Sequence, residues 1–164
     1  MFSQITGYYF YSSLIQVNAA IFSIYGLFIV FKIQICKSNI DTCKNLIFMR
    51  FNILKMISDF EKKNDQQKEE YIAEQARDVA NEPIAYQCRQ WYENQKSIEK
   101  IQDSFKLPLI LLITGMIIDA IVLIVMQFIQ GIFILELLLY VLSLGLFVWA
   151  IRQVYHGITK IITA

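Results

Sequence analysis

Two carboxylic acids, Asp119 and Glu136, lie in the most apolar part of this chain. From Leu107 to Ile151 they are the only acidic residues, and the segment contains no Lys, Arg or His. A charged side chain at the centre of a lipid bilayer costs about 3 kcal/mol or more. Such a carboxyl group either exchanges protons or binds cations, or it is neutral and holds neighbouring helices together by hydrogen bonds.

The spacing of the polar residues gives their depth, because a helix rises about 1.5 Å per residue. Asp119 lies 12 residues after Leu107 and Asn18 lies 10 residues after Tyr8. These spacings correspond to depths of about 18 and 15 Å, near the middle of a bilayer. We therefore predict a polar layer that is either an ion or proton path or a helix contact, made of Asn18, Asp119, Tyr140 and Ser143, with Glu136 shallower and Gln16 and Thr114 nearby.

The second interpretation, a helix contact, is slightly favoured for Asp119. An ionised Asp119 has no basic residue within the apolar segments to pair with. It would need water, a cation or a neighbouring subunit to compensate its charge. A neutral Asp119 that is hydrogen-bonded to Asn18 or Tyr140 needs none of these.

The other reactive residue types give no catalytic signature. The single histidine, His156, follows the third apolar segment, and Cys36, Cys43 and Cys88 form neither a CxxC pair nor a zinc set. No phosphate-binding loop, nucleophile elbow or zinc-protease motif occurs in the sequence. We therefore expect a protein that is not an enzyme and that needs no cofactor and no metal.

Composition and its distribution place the chain in a membrane. Hydrophobic residues make up 56% of the chain and charged residues 18%, against about 45 to 50% and 25% in soluble domains. The apolar residues are concentrated in three segments that each reach the roughly 20 residues a bilayer requires. We predict an all-α integral membrane protein with spans at 8–35, 107–130 and 132–153, a polar insert at 36–106 and a short cytoplasmic tail at 154–164.

The first apolar segment is expected to be a retained anchor. A cleaved signal peptide has a basic start and an apolar centre of about 7 to 15 residues. Here the start is uncharged, and the apolar run continues to Phe31 before Lys32. The second and third segments are joined by so short a connection that they predict an antiparallel pair.

Basic residues near the ends of the spans predict the orientation. They follow the first span, precede the second and follow the third, whereas the turn between the second and third spans has none. This distribution favours an outward N-terminus, with the insert and the C-terminus inside. A bacterial inner membrane fits this bias, and a mitochondrial inner membrane is the alternative.

The insert predicts a cytoplasmic antiparallel helical hairpin. Apolar residues from Ile40 to Phe60 recur at helical spacing, and no Gly or Pro interrupts 27–82, so the first span is expected to continue as one helix into the insert. A second apolar seam with heptad spacing follows Pro83, which suits the first turn of a helix. Pro108 is expected to kink or break that helix at the membrane edge. The seam and partner candidates are Ile84, Cys88, Trp91, Tyr92, Ile98 and Phe105.

Acidic and basic residues alternate in the insert, and this pattern argues against nucleic acid as a partner. The expected partners are the lipid bilayer, further copies of the chain and a soluble protein at the cytoplasmic helices. Trp91 and Tyr92 could anchor such a partner, although packing in the core is the favoured role.

The layout of one span followed by two resembles that of the stator proteins that energise the TonB and Tol systems. Those proteins have three spans, an outward N-terminus and helices that extend into the cytoplasm. The resemblance includes Glu136 early in the third span, followed by Gly145, Leu146 and Phe147. The second span here lacks the small and Thr-rich character of that family and the insert is shorter, so no residue role is carried over.

Three spans are few for a pore within one chain, and this favours self-association. The function expected from the sequence is a non-enzymatic, homo-oligomeric membrane assembly with a channel-like or signal-responsive role, whose cytoplasmic stalk binds a soluble partner. The alternative is an accessory structural subunit of a larger membrane complex, respiratory or similar to a stator or motor.

Overall fold

The computed structural model describes residues 4–51, 54–129 and 132–162. Every regular element in these ranges is helical. The elements are α1 (Gln4–Phe51), α2 (Leu54–Lys62), α3 (Asp65–Gln75), α4 (Glu82–Ile129) and α5 (Phe133–Ile162).

Three of these helices, α1, α4 and α5, are long and apolar enough to cross a membrane. Their apolar side chains are mostly directed outward, since only 22%, 33% and 11% of the most apolar windows of α1, α4 and α5 are buried. A soluble bundle would bury most of such surface. The predicted all-helical class and the presence of three membrane-type helices are therefore confirmed.

The chain forms two compact units. The three-helix unit comprises Met1–Val30 and Ile101–Ala164, and the insert unit comprises Phe31–Lys100. Helix α1 is continuous from Gln4 to Phe51, as its freedom from helix breakers after Leu27 predicts. Helix α5 extends to Ile162, so most of the predicted tail at 154–164 is helical.

Two prolines have different consequences in α4. Pro83 lies in the first turn of the helix, which confirms the prediction, because the first turn has no internal acceptor for its missing N–H. Pro108 lies inside the helix, which does not end there. The helix continues because the carbonyl of Ser104, which loses its backbone donor at Pro108, accepts a hydrogen bond from the Tyr25 hydroxyl.

An apolar core lies within the insert unit. It combines residues of the last part of α1, of α2 and α3 and of the first part of α4, and Ile47, Cys88 and Trp91 are fully buried in it. Asn64 caps α3 in a capping box: its side chain accepts from Gln67 N at 2.9 Å, and Gln67 Oε1 accepts from Asn64 N at 3.1 Å. This reciprocal pair defines where the polar tip of the insert becomes helical.

Candidate functional site

The inward faces of the three-helix unit follow from the spacing of a few residues. On α1, Tyr11, Asn18 and Tyr25 recur every seven residues and all are buried. On α5, Glu136, Tyr140 and Ser143 are spaced by four and three residues, which places them along one side of the helix. Helices α1 and α5 thus direct polar groups and aromatic rings to the interior of the unit.

Three polar side chains from three different helices form the most buried polar layer. Asn18 of α1 and Asp119 of α4 are each 2% exposed, and Ser143 of α5 is 3% exposed. Asn18 Oδ1, Asp119 Oδ1 and Ser143 Oγ have no hydrogen-bond partner among the described residues. A buried polar atom without a partner costs about 1 to 3 kcal/mol, so this layer is an energetic exception within the fold.

These three groups are neighbours. The Ser143 hydroxyl lies close enough to the Asp119 carboxyl to interact with it electrostatically, although Oγ and Oδ1 do not reach hydrogen-bond geometry with any described group. Asn18 lies against Gly115, one helical turn before Asp119: a methyl group on Gly115 would stand 3.4 Å from Asn18 Nδ2. The small residue at 115 allows the amide to approach α4 this closely.

The predicted polar layer also included Tyr140 and the shallower Glu136, and both are half-buried. Tyr140 stacks on Tyr11 with ring centroids 5.2 Å apart. Tyr11 is also within electrostatic range of Asp119 and Glu136. Tyr11 is therefore close enough to interact with both the shallow acid and the deep one.

A small cavity lies beside this aromatic pair. Its volume is about 10 Å³, and its lining includes Tyr11, Glu136 and Tyr140 together with apolar side chains of α4 and α5. A volume of about 10 to 15 Å³ by this measure is the least that holds one water molecule. The space next to Glu136 therefore accommodates at most about one water.

A polar contact between helices lies at the opposite end of the three-helix unit, at Pro108. Proline has no backbone N–H, so the carbonyl of Ser104, four residues earlier, lacks its usual helical donor. The Tyr25 hydroxyl donates to Ser104 O at 3.4 Å. Such replacement donors from neighbouring helices are what allow proline inside membrane helices.

Gly157 of α5 provides the space for that contact. A side chain at Gly157 would overlap the Tyr25 hydroxyl and would also lie 3.4 Å from Ser104 O. Phe105 packs beside the same tyrosine, with ring centroids 5.9 Å apart. Phe105 was predicted to belong to the seam of the insert, and it lies instead in the three-helix unit.

The other seam residues are found in the core of the insert unit. Trp91 has no exposed surface and packs on Phe60 with ring centroids 5.0 Å apart. A side chain as fully buried as that of Trp91 offers no surface to a partner. The remaining members of the seam in this core are Ile84, Cys88, Tyr92 and Ile98, of which Ile98 is partly buried.

One surface of the insert unit combines charges with an aromatic ring. Glu69 accepts hydrogen bonds from Lys96 at 3.2 Å and from the Tyr92 hydroxyl at 3.1 Å. These hydrogen bonds, that of Lys96 first, lower the pKa of the Glu69 carboxyl. Hydrogen bonding with Tyr92 and then with Glu69 raises the pKa of Lys96 to about 12. A groove of about 360 Å³ includes these residues and Arg89.

Sequence reasoning missed several residues of these sites. Tyr11 belongs to a cluster of aromatic residues at the start of the first span, a pattern typical of the headgroup level, yet its ring is buried between the helices. Gly115 and Tyr25 were not singled out. The available signals were the small residue one turn before Asp119 and the seven-residue spacing of Tyr11, Asn18 and Tyr25.

No family model, curated protein or solved structure matches this chain. The function is therefore inferred from the arrangement of the chain's own residues. That geometry comprises a buried polar layer, extensive outward apolar faces and a compact insert unit.

Proposed function

We propose that this chain is a non-enzymatic membrane protein that self-associates through one face of α1, in a channel-like or signal-responsive role. The insert unit is proposed as the place where a soluble partner binds. The observation that carries self-association is Gln16, an exposed amide about 12 Å along the first span from Tyr8. Its side chain makes no hydrogen bond to any described residue.

An amide in lipid needs a hydrogen-bond partner from another helix. Because one glutamine side chain both donates and accepts, two copies related by a two-fold axis satisfy each other. The surrounding face supports close approach, since Ser13, Ala20 and Ser23 lie on it at spacings of three and four residues and all are exposed. The Ser23 hydroxyl already donates a hydrogen bond to Ala19 O at 2.9 Å, so this small residue needs no donor or acceptor from another helix.

The test is the mass of the purified protein in detergent and in lipid nanodiscs, with Gln16→Leu as the variant. Interhelical hydrogen bonds of this kind contribute about 0.6 to 1.7 kcal/mol, so the dissociation constant should rise about 3- to 20-fold. Thr114→Val, an exposed polar residue on α4, is the matched control and should leave association unchanged. A wild-type monomer in lipid, or equal effects of the two substitutions, would contradict the proposal.

The channel-like part of the proposal has its own measurement, which is ion flux through liposomes containing the purified protein. The interior of the three-helix unit is filled by apolar side chains at the Tyr25 end, where Leu112 and Ala150 are buried. A conducting path therefore requires surfaces from several copies, and flux should fall together with association in Gln16→Leu. Flux that is independent of association would contradict this arrangement.

The groove around Glu69 and Lys96 supports partner binding, because it presents both signs of charge beside the Tyr92 ring. A photo-crosslinking amino acid at Ala73, which lines the groove, should capture the partner in cells. The same amino acid at exposed Ala80, outside the groove, is the control and should not. Equal capture at both positions would contradict a specific site.

The second candidate, an accessory subunit of a larger complex, is favoured by the exposed apolar face of α4. Ile110, Ile117, Ile121 and Ile124 are each more than half exposed on it. A branched apolar face suits packing against another membrane helix as well as against lipid. A purified complex of fixed composition with a different membrane protein, together with a wild-type monomer in isolation, would favour this function.

A further inference from the structure

We infer that Asp119, Asn18 and Ser143 form a proton-binding site inside the three-helix unit, which exchanges its proton with the Glu136 end only. The site goes beyond the proposed self-association, since all three side chains belong to the interior of one chain. Each is at least 97% buried and contributes an oxygen without a hydrogen-bond partner among the described residues.

One added proton satisfies all three groups. A proton on the Asp119 carboxylate gives a neutral acid whose O–H donates to Asn18 Oδ1. The Ser143 hydroxyl then donates to Asp119 Oδ1. The three groups that lack partners thereby obtain two hydrogen bonds, and no charge remains in the apolar interior.

A metal cation fits the same oxygens less well. The side chains supply four oxygen atoms, two from Asp119 and one each from Asn18 and Ser143. Hard divalent cations take about six or more. The local backbone carbonyls are used within the helices, so they cannot complete the shell.

The groups that face Asp119 from the neighbouring helices favour one direction of exchange. Tyr11 of α1 and Ser143 of α5 lie within electrostatic range of Asp119, and Asn18 of α1 lies against Gly115, one helical turn away. Tyr140 and Glu136 of α5 lie within electrostatic range of Tyr11, and none of these groups is basic. The titratable members all lie toward the Glu136 end, where the cavity of about 10 Å³ also lies.

Toward the Tyr25 end, the inward side chains that follow the layer are apolar. Leu112, Ala150 and Leu111 are 0%, 2% and 8% exposed. They separate Asp119 from the Tyr25 hydroxyl, which is bonded to Ser104 O. A proton therefore reaches Asp119 from one end of the unit.

Infrared spectroscopy of the purified, reconstituted chain tests the site. At neutral pH, wild type should show a carboxylic-acid C=O band that moves on transfer to D₂O, and Asp119→Asn should lose it. Ser143→Ala should retain the band at a changed frequency, because one hydrogen bond to the carbonyl is gone. A wild-type spectrum identical to that of Asp119→Asn would show an ionised Asp119 and overturn the proposal, as would disappearance of the band on addition of Na⁺.

The frequency shift in Ser143→Ala also distinguishes the site if Asp119→Asn does not fold. An unchanged frequency would mean that Ser143 does not bond the acid, and the three-residue site would be wrong. The rate at which the band moves after transfer to D₂O tests the direction of exchange. Glu136→Gln should slow this rate, whereas Glu99→Gln, in the insert unit, should not; equal rates in wild type and Glu136→Gln would overturn access from that end.

Discussion

The carbonyl group of Ser104 lacks a backbone donor within its own helix and accepts a hydrogen bond from another helix. Pro108 removes the donor, and the Tyr25 hydroxyl replaces it at 3.4 Å. Gly157 permits this only because it has no side chain. The proline, the tyrosine and the glycine therefore depend on one another, although they belong to three helices.

We predict that Tyr25→Phe lowers the free energy of unfolding by about 1 kcal/mol, since it leaves Ser104 O without a donor. In a Pro108→Ala background, the new N–H at position 108 can bond Ser104 O, so the same substitution should cost less. Thermal or denaturant unfolding in detergent of the wild type, the two single variants and the double variant gives the coupling energy between Tyr25 and Pro108.

The control for this cycle is Tyr155→Phe, because Tyr155 is 71% exposed on α5. It should change stability by less than about 0.5 kcal/mol. An equal cost of Tyr25→Phe with and without Pro108 would show that the hydroxyl does not compensate for the proline.

The Glu69 carboxyl is held in its charged form by its neighbours. Its pKa is lowered by hydrogen bonds from Lys96 and Tyr92. A lowered folded pKa stabilises the fold above the unfolded value of about 4.3, and this contribution is lost as the pH falls through the folded value. Lys96→Gln should therefore raise the Glu69 pKa and reduce the loss of stability at acidic pH.

An NMR titration of the Glu69 side chain measures this pKa directly. Lys100→Gln is the matched control, since it removes a lysine of the same helix that forms no described ion pair with Glu69. The hydrogen-bond explanation fails if both substitutions move the titration equally.

At the scale of elements, the insert unit depends on a tryptophan at the contact between helices. Trp91 is fully buried against Phe60, and Lys44 lies over its ring at 4.8 Å from the centroid while forming an ion pair with Glu61. We predict that Trp91→Ala lowers the free energy of unfolding of this unit by about 3 to 5 kcal/mol. Trp91→Phe should cost less, because it keeps a ring and removes a buried Nε1 that has no acceptor among the described residues.

The thiol of Cys88 provides the measurement for this unit. Burial, and secondly the nearby Cys43, raises the pKa of the Cys88 thiol to about 12, so it should react with alkylating reagents only when the unit opens. We predict slow alkylation in the wild type and a rate at least about a hundredfold higher in Trp91→Ala, the ratio that corresponds to about 3 kcal/mol. A rate unaffected by the substitution would place Trp91 outside the structure that protects Cys88.

Two glycines of α5 differ in the space that is available for a side chain. Gly145 has no atom within 4 Å of the position that a side chain would occupy, whereas Gly157 faces Tyr25. Glycine lowers helix stability by about 1 kcal/mol relative to alanine. An alanine at 145 is therefore tolerated or favourable, while one at 157 displaces the tyrosine that compensates Pro108.

At the scale of the whole molecule, the basic residues predict which side of the membrane each part occupies. A cysteine at Ala80, in the insert, should be protected from a membrane-impermeant thiol reagent in intact cells. A cysteine at Ile132, in the turn before α5, should be labelled. The opposite labelling pattern would reverse the predicted orientation, and the native thiols interfere little because Cys36, Cys43 and Cys88 are all buried.

The helical class, the number of membrane-type helices and the continuity of α1 were predictable because each depends on local properties. Apolar length and the absence of helix breakers are properties of a continuous segment, so residue order is sufficient to find them. The expected effect of Pro108 was partly wrong for the complementary reason. Whether a proline ends a membrane helix depends on a donor from another helix, and the Tyr25 hydroxyl is 79 residues away from Ser104 in the chain.

Residue order alone shows that Asp119 is a carboxyl group deep in an apolar segment that contains no basic residue. Packing between the helices places Asn18 against Gly115, one turn from Asp119, and brings Ser143 and Tyr11 within electrostatic range of the acid. Depth along a helix follows from counting residues at about 1.5 Å each. Which side chains meet depends on the rotation of every helix about its axis, and packing between helices sets that rotation.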